Sequence, residues 1–136
     1  MHLETGSGSS TASPSAAEID AALAALSGDD DFLILSYNEQ TYLQAMGAPG
    51  PGFLVEYRDG SEDSHFQSVQ SDVPLAVAQE IFRLYAEGDG AWRSRIEWKR
   101  WAAADGRPAS LSRASVGVAV GVLAVLVLIA WMALAA

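Results

Sequence analysis

The residues best suited to proton transfer lie close together in the chain: Glu62, Asp63 and His65. Carboxylates beside an imidazole are the elements of general acid–base catalysis. The same spacing fits a blander arrangement, two acids in an exposed hairpin arm followed by a histidine on a strand edge. That reading is the stronger, so no catalytic residue is assigned. Asp29, Asp30 and Asp31 offer a carboxylate-only cation site, but they lack the alternating ligands and the distal Glu of a calcium loop. Ser36 is not set in the Gly-x-Ser-x-Gly turn of a nucleophile elbow. The glycine-rich run Gly47–Gly52 (GAPGPG) holds two prolines, which remove N–H donors that a phosphate loop needs. The chain has no cysteine and two histidines, His2 and His65. That composition excludes disulfides, thiolate chemistry and a multi-His metal site within one chain. The expectation is a protein that is not an enzyme, with no cofactor and no metal.

Charge is more informative than any motif. The 136 residues carry 17 acids against 8 bases, a formal net charge of −9. Residues 1–89 hold fifteen of the acids and only two bases, Arg58 and Arg83. Residues 90–113 hold six bases, Arg93, Arg95, Lys99, Arg100, Arg107 and Arg113, with the remaining acids, Glu97 and Asp105. An acidic body repels phosphates, which argues against nucleic acid as a partner. It suits capture of a basic protein by steering and complementary charge. The acids on exposed turns and on the hairpin, Asp29, Asp30, Asp31, Asp59, Glu62 and Asp63, are the partner-binding candidates. The basic collar suits anionic lipid headgroups, and Trp92, Trp98 and Trp101 are expected in the core or where the domain meets the membrane.

Residues 116–136 contain no charge. As a helix they would span about 31 Å, close to the hydrocarbon thickness of a bilayer. The expectation is a single C-terminal transmembrane helix behind a basic juxtamembrane linker, residues 102–115. Bases on the near flank favour a cytoplasmic N-terminal domain. Residues 1–13 contain no apolar core of a secretory signal. Gly117 and Gly121 form Gly-x-x-x-Gly, a spacing that lets two membrane helices approach closely; they are the candidates for helix self-association.

The elements that must position these residues follow from periodicity. Residues 1–13, rich in Ser, Gly and Thr, are expected to be disordered. Pro14–Leu26 reads as a helix, with capping-box spacing at Ser15 and Glu18 and an apolar face of Ile19, Ala22, Leu23 and Leu26. Gly28 ends it, and Asp29–Asp31 form a solvated turn. Four strands follow at Phe32–Ser36, Thr41–Met46, Phe53–Tyr57 and His65–Val69, with a hairpin signal at Asp59-Gly60. Asp72 and Pro74 start a second helix that ends near Glu87, with Gly88 just past it. Arg95–Trp101 reads as a last strand. This order predicts an α+β fold over residues 14–101, an antiparallel sheet of about five strands with two helices packed on it.

Several of these positions form a pattern: GFLVEYRDG over Gly52–Gly60, His65-Phe66, Val73-Pro74-Leu75, Phe82, Gly88, Trp92 and Glu97-Trp98. Over Phe32–Trp101 the chain resembles a small uncharacterised domain of bacterial proteins. It also resembles, more loosely, the immunity-protein families that neutralise polymorphic toxins. The resemblance implies a hairpin, a Val-Pro helix, a final strand ending near Trp, and a toxin as partner. The chain departs from such soluble proteins in its membrane tail. Two functional expectations stand: a membrane-tethered domain that captures a basic protein, and a structural or regulatory single-pass protein that self-associates as a homodimer through its transmembrane helix.

Overall fold

The computed structural model describes residues 1–102, the side chain of Asp29 excepted, and residues Met1–Trp101 form one compact unit. The expected linker, transmembrane helix and Gly117–Gly121 pair lie outside the described residues, apart from Ala102. Among the described residues, no helix is long and apolar enough to cross a membrane.

Among the described residues the fold is α+β, with seven antiparallel strands where about five were expected. The strands are β1 (His2–Thr5), β2 (Ser10–Ala12), β3 (Gly28–Asn38), β4 (Thr41–Ala48), β5 (Gly52–Asp59), β6 (His65–Ser68) and β7 (Trp98–Arg100). They pair in the order β2-β1-β3-β4-β5-β6-β7. Two helices, α1 (Ala16–Ala24) and α2 (Leu75–Ala86), connect them.

The two additional strands correct the expected disorder of residues 1–13. Strand β1 runs antiparallel to β3, with Leu3 opposite Leu35 and His2 opposite Ser36. Leu3 is 5% exposed and belongs to the main core. The composition of this segment does not favour order by itself. A preformed edge of β3 supplies hydrogen-bond partners and a hydrophobic seat, which offset the ordering entropy.

Helix α1 begins as its residues dictate. The Ser15 hydroxyl accepts from the Glu18 amide at 3.1 Å, and the Glu18 carboxylate accepts from the Ser15 amide at 2.9 Å. This reciprocal cap satisfies two N–H groups that have no partner inside the helix. Both helices lie on one face of the sheet. Ile19, Leu23, Ala78, Ile81 and Phe82 meet Leu33, Leu35, Leu43, Ala45, Phe53 and Val55 in a single core. Trp98 joins this core beside Tyr57 and Trp92, with ring centroids 4.9 and 5.7 Å away.

The opposite face, which no helix among the described residues covers, is not a solvated one. Phe32, Ile34, Tyr42, Gln44 and Met46 are buried there, Ile34 to 1% exposure. The alternation in β4 therefore separates two buried faces, not a core face from a wet one.

Two glycines hold the β4–β5 connection. Gly47 has φ 130° and Gly52 φ 97°, conformations that L side chains rarely adopt. A Cβ on Gly52 would lie 2.6–2.8 Å from the backbone of Asp72. Removing that Cβ lets Phe53 and Val73 exchange backbone hydrogen bonds at 2.9 Å, which ties the lead-in of α2 to the sheet.

Candidate functional site

The sheet divides the six acidic candidates between its two ends. Asp29, Asp30 and Asp31 lie in β3, which corrects the expected solvated turn. Gly28 pairs with Gly47 and draws the chain into the sheet, with an irregularity in register before Phe32. The Asp31 carboxylate is engaged locally, accepting from the amide and hydroxyl of Ser27 at 3.1 and 3.2 Å. Asp59, Glu62 and Asp63 lie at the other end. Asp59 pairs in register with Thr41, which itself faces Asn38 across the β3–β4 turn. From Asp31 to Asn38 along β3 is roughly 23 Å at about 3.3 Å per residue. The six acids therefore form two separate groups.

At the Asp59 end the basic collar meets the acidic body. The Arg93 guanidinium pairs with Asp59 at 2.7 Å, and Arg95 pairs with Glu80 at 2.9 Å. Arg100 donates to the Asp63 carbonyl at 2.7 Å. Asp59 is thus not a free charge, and among the described residues Arg93, Arg95 and Arg100 of the collar are engaged within the fold. Glu62 and Asp63 occupy a short 3-10 turn, Glu62–Ser64, and are exposed.

The weighed Glu62–Asp63–His65 constellation does not assemble around its histidine, and Glu62 and Asp63 are exposed as the blander reading has them. His65 is buried on the sheet face away from the two helices, opposite Arg58 in the β5–β6 register. Its Nε2 lies 3.3 Å from the Glu56 carboxylate, and its Nδ1 lies 3.5 Å from an Arg58 nitrogen. A guanidinium can only donate and a carboxylate can only accept, so Nδ1 takes the acceptor role and Nε2 the donor role. Arg58 also donates to the Gln40 side chain at 3.1 Å and lies over the Tyr42 ring, 5.6 Å from its centroid. Trp101 stacks on the imidazole with centroids 4.9 Å apart and planes 10° apart. Burial raises the pKa of Tyr42, with Arg58 acting in the opposite direction.

The network is hard to see in the sequence because Gln40, Tyr42 and Trp101 are distant from the β5–β6 hairpin in sequence order. The signal was nevertheless present: Glu56 and Arg58 alternate along β5, and the Asp59-Gly60 turn folds β6 back onto them. With both ring nitrogens of His65 held, the arrangement reads as a fixed polar seam within a buried face, not as an exposed acid–base pair. Among the described residues, no group of three or more His, Asp or Glu converges as metal ligands would. Comparison with protein-family models, with curated proteins and with solved structures gives no match to this chain.

Proposed function

We propose that this chain is a non-enzymatic, membrane-tethered protein-binding domain of immunity type, whose acidic surface captures a basic protein partner such as a toxin. The observation that carries this reading is the distribution of unpaired charge. Asp30, Glu39, Glu62, Asp63, Glu87 and Asp89 are exposed and have no ion-pair partner among the described residues. The bases Arg83, Arg93 and Arg95 are occupied by Asp20, Asp59 and Glu80. Lys99 and Arg100 are exposed without an ion-pair partner among the described residues, but the unpaired acids outnumber them, so the outward field is negative, as electrostatic capture of a basic protein requires. The apolar segment 116–136 supplies the tether, and the basic residues before it favour a cytoplasmic domain.

The test is co-purification from detergent-solubilised membranes with mass-spectrometric identification. A basic protein is expected, with recovery falling as salt rises from about 0.01 to about 0.15 M and the Debye length shrinks from about 30 to about 8 Å. A neutral or acidic partner, or recovery indifferent to salt, contradicts capture by charge.

A further inference from the structure

At the end of the sheet where β3 turns into β4, one aromatic side chain stands in the open. Tyr37 is 48% exposed. Its ring leans on Tyr85, with centroids 5.3 Å apart and planes at 49°. Its hydroxyl donates to the Tyr85 carbonyl at 2.9 Å. Held at two points, the ring loses little side-chain freedom when something packs on it.

Tyr85 is itself 6% exposed, and its own hydroxyl is shut away from water with no hydrogen-bond partner. Burial raises the pKa of that hydroxyl, and Tyr37 and Asp59 add to the shift while Arg93 opposes it. The Tyr85 ring lies between Tyr37 and Trp92, with centroids 5.3 and 5.4 Å away.

The surroundings are negative. Tyr85 belongs to the last turn of α2, whose terminal carbonyls carry the negative end of the helix dipole. Glu87 and Asp89 follow it, and Glu39 stands in the β3–β4 turn beside Tyr37. All three are exposed and have no ion-pair partner among the described residues. The bases near this end are engaged: Arg93 is held by Asp59 at 2.7 Å and lies over Trp92 and Tyr57, Arg58 donates to Gln40 and lies over Tyr42, and Arg83 pairs with Asp20. The Asp30–Asp31 end has none of this: it offers carboxylates with no exposed ring beside them.

We infer that the basic partner docks at the Tyr37 end, placing an Arg or Lys side chain on the Tyr37 ring with its charge toward Glu39, Glu87 and Asp89. The assignment rests on the capture reading and gives it a location. A cation over an aromatic face, desolvated between ring and carboxylates, is favoured by both.

The test is a binding titration of the full chain, in zwitterionic detergent at low salt, with an acetylated and amidated tetra-arginine peptide as probe. Tyr37→Ala is expected to weaken binding about threefold, and Tyr37→Phe, which keeps the ring, to bind as the unaltered chain does. Glu39→Lys is expected to weaken binding more than Asp30→Lys, although both change the net charge equally. Equal weakening by Glu39→Lys and Asp30→Lys, or unchanged binding by Tyr37→Ala, overturns this location while leaving capture by charge in place. Absence of any binding to the unaltered chain overturns both.

Discussion

Leu3→Ala separates an ordered amino-terminal strand from a disordered tail. Leu3 is 5% exposed, faces Leu35 across the β1–β3 ladder, and touches the core that both helices cover. Truncating a buried leucine costs about 2–5 kcal/mol, the lower values arising where neighbours can collapse into the space. Here only the three-residue strand β2 lies outside β1, so the site can relax from one side. A cost of about 2–3 kcal/mol is expected. For a folded unit of this size, each kcal/mol lowers the midpoint by about 4–8 °C, so Tm should fall by about 10–20 °C. The assay is thermal unfolding of the full chain in nonionic detergent, followed by tryptophan fluorescence, because Trp92 is buried against Tyr57 and Tyr85. A midpoint within about 2 °C of the unaltered chain would show that residues 1–13 contribute nothing to the fold and would refute the seven-stranded sheet.

Two further outcomes follow from the buried polar groups. Glu56→Ala leaves the His65 Nε2–H without its acceptor, and a cost of about 1–3 kcal/mol is expected in urea unfolding; Glu56→Ala combined with His65→Ala should cost less than the sum of the two, and strict additivity would show that the pair is not coupled. Tyr85→Phe removes an unpartnered buried hydroxyl and is expected to leave stability at neutral pH unchanged or raise it by about 1 kcal/mol. The folded-state pKa of Tyr85 lies above its ordinary value of 10, so above pH 10 the unfolded chain releases the proton that the folded chain keeps. Stability should therefore fall as pH rises past 10, and less steeply in Tyr85→Phe; identical slopes in an alkaline series of melts would contradict the buried, protonated hydroxyl.

The parts of the fold legible in the sequence are those fixed by local chemistry. Ser15 and Glu18 announce the start of α1, and the observed cap is the one their spacing demands. Phe53, Val55 and Tyr57 alternate onto the core face as period two requires, and Asp59-Gly60 turns the chain toward β6. The parts that were not legible depend on partners far away in the chain. Strand β1 has one buried apolar residue, and its order comes from an edge about thirty residues distant. Asp29–Asp31 looks like a turn until Gly47 is brought opposite Gly28. The predicted last strand, Arg95–Trp101, is cut to Trp98–Arg100 because the chain bends at Arg95 and Ile96 as it leaves the 3-10 turn over Gly90–Ser94. For the proposed site, the sequence offers the sign of the charge and the folded chain offers its arrangement. Charge singles out the candidate acids, yet only the folded chain shows that they fall into two groups, that Asp59 pairs with Arg93, and that Tyr37 and Glu39 lie at the Asp59 end of the sheet.

Capture of a basic protein by the acidic domain is a claim about encounter rates, and association kinetics decide it. The basic partner recovered from membranes would be mixed with the unaltered chain and with the double variant Glu62→Lys, Asp63→Lys, at about 0.01 and about 0.15 M salt. Both altered residues are exposed, and Arg100 is held by the Asp63 backbone carbonyl, which the substitution keeps. Surface changes of this kind shift stability by under about 0.5 kcal/mol, so the fold should survive. The unaltered chain is predicted to associate severalfold faster at low salt, and the double variant to lose most of that advantage. Equal association rates for both chains at both salt concentrations would contradict the claim.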